Sequence, residues 1–86
     1  MARENLPKER LSGEVKKRSV LIRGHSTSIS LEQAFWVQIK AIAARRNQSL
    51  NALVATIDES RDTNLSSALR LLVLEDLLSE IKAKDL

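Results

Sequence analysis

Between Ser26 and Leu31 the chain alternates strictly, with Thr27, Ile29 and Leu31 on one side and Ser26, Ser28 and Ser30 on the other. A period of two is the signature of a strand with one buried face. The outward face carries three small hydroxyls and no charge. Such a strand leaves backbone donors and acceptors open on both edges. The segment Thr27–Leu31 is therefore expected to pair with its twin in a homodimer. Upstream, Ser19-Val20-Leu21-Ile22-Arg23 can form a short extended piece, and Gly24 after it permits a turn.

From Glu32 the period becomes helical. Phe35, Trp36, Ile39, Ile42 and Ala43 fall on one stripe, and good helix formers run through Arg46. Ser30-Leu31-Glu32-Gln33 fits an S-x-x-Q capping box, which would start this helix directly after the strand. Arg45 and Arg46 suit its negative end, and Asn47 can take the left-handed conformation that closes it. A second helix is expected from the N-cap Ser49, with Leu50, Leu53, Val54 and Ile57 on one face, ending near Ser60. Asn64 should cap a third, whose apolar positions are Leu65, Leu69, Leu72, Val73, Leu77 and Ile81. Leu71 to Leu74 is apolar all round, a pattern that calls for burial on more than one side and again for a second subunit.

Composition narrows the alternatives. With 86 residues and no cysteine, the chain is one small domain without disulfides or thiolate metal sites. No stretch is long and apolar enough to span a membrane, and MARENLPKER lacks the apolar core of a secretory signal, so a cytoplasmic protein is expected. Residues 1–16 are polar, hold Pro7 and Gly13 and show no apolar period. They read as a flexible basic arm before a domain over 17–86. Residues 1–25 carry seven Lys and Arg against three acids, whereas the rest carries seven against eight. Clustered cations at one end fit a polyanion, nucleic acid being the simplest, or else a solvated tail.

The residues of catalysis are scarce. His25 is the sole histidine and has no second ligand at metal spacing. Gly13 and Gly24 are too far apart for a phosphate loop. Asp58, Glu59 and Asp62 read as a solvated acidic face that Arg61 can neutralise. No enzyme activity, cofactor or metal is expected.

The order of alternating strand, helix, tight turn and capped helix over residues 26–60 resembles the ribbon-helix-helix DNA-binding family. The run KRSVLIRGHSTSISLEQAFWVQIKAIA, followed by SLNALVATID and NLSSALRLLVLEDLL, is similar to a bacterial subfamily with an N-terminal extension and a third helix, over about residues 17–78. The resemblance implies a mainly α fold with a short β-strand: an intertwined homodimer with an antiparallel two-stranded ribbon and an extra C-terminal helix. It assigns DNA contact to the ribbon face Ser26, Ser28 and Ser30. It assigns phosphate anchoring to Ser49, Leu50 and Asn51 at a helix N-terminus, and the dimer core to Ile29, Leu31, Trp36, Ile39, Leu53 and Ile57.

Family members often carry Arg, Lys, Gln or Asn on the reading face, where this chain has only serine. Serine discriminates bases weakly, so Lys17, Arg18, Arg23 and His25 just upstream are the nearest replacements for DNA contact. Their alternative role is a charged edge that discourages strand aggregation. Trp36 reads as core rather than as a stacking platform.

The function so implied is a sequence-specific DNA-binding protein, a bacterial transcriptional regulator that inserts a dimeric ribbon in the major groove of double-stranded DNA. The third helix can join dimers into a higher assembly. The alternatives are a protein-interaction module, such as an antitoxin or adaptor on the same dimer scaffold, and a nonspecific architectural or RNA-binding protein.

Overall fold

The computed structural model describes residues 11–85. Most of the expected flexible arm, residues 1–10, lies outside the described residues. Five elements follow one another: β1 (Val15–Ile22), β2 (His25–Glu32), α1 (Gln33–Arg45), α2 (Leu50–Ser60) and α3 (Leu65–Asp85).

β1 and β2 form an antiparallel hairpin, with Ile22 opposite His25 and Val15 opposite Glu32. The turn is Arg23-Gly24, and both residues have positive φ, 49° and 82°. Two central residues of positive φ make a tight turn whose twist matches that of the flanking strands. Glycine takes this conformation freely, and Arg23 is the one non-glycine residue of the turn held there.

The hairpin corrects the expectation drawn from Thr27–Leu31. Its partner strand is supplied by the same chain, because the extended piece upstream starts at Val15 and is long enough to pair with all of β2. The ribbon is thus intramolecular. Its inner face contributes Val20, Ile22, Ile29 and Leu31 to the core.

Both outer edges of the ribbon are partly occupied by helix side chains. Asn51 Oδ1 accepts from the Leu21 N–H at 3.1 Å on the β1 edge, and Ser66 Oγ donates to the Ser30 carbonyl at 3.3 Å on the β2 edge. Side chains on an edge compete with any strand that would add there.

Beneath the ribbon lie the three helices. Trp36, Ile39, Ile42 and Ala43 of α1, Leu53 and Val54 of α2, and Leu69, Leu72 and Val73 of α3 complete the core, with Phe35, Leu50, Ile57 and Leu65 packed at its border. The six residues assigned to a dimer core, Ile29, Leu31, Trp36, Ile39, Leu53 and Ile57, therefore pack within a single chain. The helix α3 extends this core with Leu69, Leu72 and Val73.

The helix ends show how far local signals reach. Asn47 has φ 57°, and Gln48 N–H and Asn47 N–H donate to the carbonyls of Ala43 and Ala44. That pair of bonds is the Schellman closure, here built on asparagine instead of glycine. Ser49 Oγ accepts from Ala52 N–H, and Asn64 Oδ1 from Ser67 N–H, so both expected N-caps are present.

The expected capping box at Ser30 is not formed. The N-cap of α1 is Glu32, which makes no side-chain cap. The open N–H groups of Gln33 and Ala34 donate instead to the carbonyls of Glu14 and Ser12, at 2.7 and 3.2 Å. The chain entering β1 crosses the helix N-terminus and satisfies it with backbone. Glu32 is then free to form a two-pronged pair with Arg70 of α3, at 3.1 and 3.4 Å.

Candidate nucleic-acid interface

The hairpin register sorts the candidate residues by face. Directly opposed residues of an antiparallel pair share a face. Lys17 lies opposite Ser30, Ser19 opposite Ser28 and Leu21 opposite Ser26. These six form the outer face, away from the helices, and all are exposed. Its centre is a patch of four serine hydroxyls, able to donate and accept, and Lys17 is its only cation among the described residues.

The remaining upstream candidates fall elsewhere. Arg18 is opposite Ile29 and so turns inward, with its guanidinium carbon 5.6 Å from the centre of the Trp36 ring and its Nε buried without a hydrogen-bond partner among the described residues. A cation over an indole face is a stabilising contact within the fold. Arg23, in the turn, pairs with Asp58 at 3.1 Å. His25 sits beside that turn at the exposed end of the inner face. Of the four, Lys17 alone shares a face with the serines. The sequence contained one overlooked clue: a two-residue turn at Arg23-Gly24 sets Ile22 against His25, and every other pair then follows.

The N-terminus of α2 adjoins the ribbon. Ser49 Oγ and the Ser49 carbonyl accept from Ala52 and Leu53. The N–H groups of Leu50 and Asn51 lie ahead of the first intrahelical acceptor, at the positive end of the helix dipole. The Asn51 side chain accepts from Leu21 through its oxygen, which leaves its amide nitrogen as a donor. The structure therefore brings a helix N-terminus of the kind that holds phosphate to the edge of the serine face.

Ion pairs brace this arrangement. The Glu32 carboxyl is held below the usual range by a backbone hydrogen bond and by Arg70, and Asp58 is held low by Arg61 first and Arg23 second. A carboxylate with a depressed folded-state pKa adds stability that is present above its unfolded value, about 4, and is lost as pH falls below it. The urea midpoint is accordingly expected to be level from neutrality to about pH 5 and to decline toward pH 3. A midpoint unchanged at pH 3 would contradict these pairings. Among the described residues no three potential ligands cluster to hold a metal, and no helix is long and apolar enough to cross a membrane.

The chain thus sets a hairpin with a polar outer face beside the N-terminus of a capped helix. A model of the ribbon-helix-helix domain matches residues 15–77, and the chain belongs to that family. Among solved structures it is similar to an uncharacterized protein from Bordetella pertussis Tohama I, with 26% identity and a TM-score of 0.74, over 95% of this chain and 71% of that one. No curated protein matches. Family membership points to a DNA-binding or regulatory role on a fold that is not enzymatic.

Proposed function

We propose that the protein binds double-stranded DNA through the outer face of its hairpin and acts as a bacterial, cytoplasmic regulator of transcription, with two copies on a repeated or palindromic site. The observation that carries this reading is the hydrogen bond from Leu21 N–H to Asn51 Oδ1, which fastens the N-terminus of α2 to the edge of an exposed, polar ribbon. Strands of eight residues span about 27 Å. A two-stranded ribbon fits the major groove, which is about 12 Å wide.

In that pose the Leu50 and Asn51 N–H groups and the Asn51 amide hold a backbone phosphate and set the register. Lys17 and the serines Ser19, Ser26, Ser28 and Ser30 face base edges. Lysine pairs with guanine O6 and N7, whereas serine bonds to many bases. Recognition thus rests on one strong contact per copy, on water-bridged hydroxyls and on DNA shape. Arg18, turned onto Trp36, stabilises the ribbon from beneath.

The test is binding to duplex DNA across a salt series, followed by selection over random duplexes. Log affinity is expected to fall linearly with log salt, and selection to enrich a motif. Absence of binding at low salt would end the proposal, and recovery of all sequences alike would favour an architectural role. Asn51→Asp is the sharpest variant. It keeps an oxygen for Leu21 but replaces the free amide with a negative charge. Affinity should fall about tenfold for every sequence, since phosphate contacts carry no sequence information.

A further inference from the structure

Under the tip of the hairpin the chain leaves an open cleft of about 500 Å³ between the ribbon and the connection from α2 to α3. Its floor is apolar, made by Ile22 of β1 and Leu65 of α3. Around it stand Arg23 from the turn, His25 and Thr27 from β2, and Asp58 and Arg61 at the C-terminal end of α2. The register places the cleft on the inner side of the ribbon: Ile22 lies opposite His25 and Val20 opposite Thr27, and Val20 and Ile22 are buried. The serine face is made by the alternate residues, so a duplex lying on it is separated from the cleft by the ribbon itself. A small molecule fits this position better than a nucleic-acid backbone.

The charges of the cleft do not cancel. One carboxylate, Asp58, is shared by two guanidinium groups, Arg23 Nη2 at 3.1 Å and Arg61 Nε at 2.8 Å. Arg61 Nη1 donates to the Thr63 carbonyl. Among the described residues, Arg23 Nε and Nη1 and Arg61 Nη2 make no hydrogen bond, and neither do the His25 ring and the Thr27 hydroxyl. Glu59 and Asp62, close in sequence, are not among the walls. The turn supplies a further sign. A tight turn with two residues of positive φ favours Asn-Gly, yet position 23 is held at φ 49° by arginine. A long side chain kept in that region points to a use for the side chain itself.

We infer that this cleft binds a small organic anion, a carboxylate or phosphate ester with an apolar body. The guanidinium groups of Arg23 and Arg61 hold the oxygens of the head, since their planar forks match both kinds of anion. Thr27 and His25 add hydrogen bonds, and the body of the ligand lies over Ile22 and Leu65. An apolar floor with a few convergent polar groups, in a volume of this size, is the usual make-up of a small-molecule site. Bound there, the ligand ties the turn of the ribbon to the end of α2, the helix whose Asn51 already holds β1. The site does not depend on the proposed function.

The test is a titration of the full, isotope-labelled chain, without DNA, with phenyl phosphate and with benzoate at millimolar concentration, read from the backbone amide shifts. Saturable shifts are expected at Arg23, His25, Thr27 and Arg61 with at least one of the two, and the one that binds identifies the head group. Inorganic phosphate and benzyl alcohol, which carry the head or the ring alone, should each bind about tenfold more weakly. Arg61→Gln should weaken the binding about tenfold, and so should Arg23→Asn, which keeps a residue suited to positive φ in the turn. If one of these variants disturbs the amide spectrum as a whole, the other reads the same site. Lys82→Gln, an equal loss of charge on the exposed end of α3, should leave the binding unchanged. No saturable shift with either probe overturns the inference, as does equal binding of inorganic phosphate. So do shifts centred on Leu50 and Asn51, which would assign the anion to the N-terminus of α2, and a loss in Lys82→Gln equal to that in Arg61→Gln. Because no DNA is present, this inference and the proposed function fail separately.

Discussion

Trp36→Ala is expected to cost about 3–5 kcal/mol of folding stability, the usual range for emptying a large aromatic site. A domain of 86 residues has about 4–13 kcal/mol in total, so the variant loses a large share of its stability and unfolds at room temperature if the wild type lies near the lower end of that range. Trp36 is fully buried and stands at the junction of ribbon and helices. Its Nε1 donates to the Lys16 carbonyl at 2.9 Å, and the Arg18 guanidinium lies over its ring. Removing it loses apolar burial, a hydrogen bond to β1 and the support beneath Arg18. Trp36→Phe should keep most of the burial and lose only the polar contacts, at about 1–2 kcal/mol. Urea denaturation followed by circular dichroism measures both. An alanine variant with a near-native midpoint would show that the ribbon does not depend on this anchor.

Lys17→Glu is expected to lower DNA affinity by about 10- to 100-fold at low salt while leaving the fold intact. The reason is positional. Lys17 is the one described cation on the serine face, it is exposed, and it makes no salt bridge among the described residues. A glutamate there would bring a negative charge into the groove and offer an acceptor where guanine also presents acceptors. Lys17→Ala should lose less and should relax the preference for guanine at the position it contacts. Arg18→Ala provides the contrast. Its side chain is turned under the ribbon, so the loss is expected in stability first. Fluorescence anisotropy on a labelled duplex over a salt series, with thermal melts alongside, separates the two residues. Equal affinities for wild type and Lys17→Glu would remove the hairpin face from the interface.

The contrast between Lys17 and Arg18 also shows what could be read from the chain in advance. Both belong to one basic cluster before the alternating strand, and composition treats them alike. They part only when the turn at Arg23-Gly24 sets the register, because a strand directs adjacent side chains to opposite faces. The expected capping box shows the same limit. Ser30 and Gln33 have the spacing of a local cap, yet carbonyls of Ser12 and Glu14 reach the helix end, and Arg70 from α3 takes the carboxylate of Glu32. A distant partner outcompetes a local one when packing delivers it at lower entropic cost.

Patterning alone determined the elements that depend on neighbouring residues. The alternation at Ser26–Leu31, the apolar stripes of α1 and α2, the Asn47 closure and the Ser49 and Asn64 caps are all contacts within a few residues, where spacing and side-chain chemistry suffice. Only the tertiary structure decided which strand pairs with Thr27–Leu31, whether the core lies within one chain, and which cation shares a face with the serines. A period of two specifies that a strand has a buried side without naming the strand across from it. That choice is non-local: it rests on a turn that holds two residues at positive φ and on α3 packing into the core beneath the ribbon.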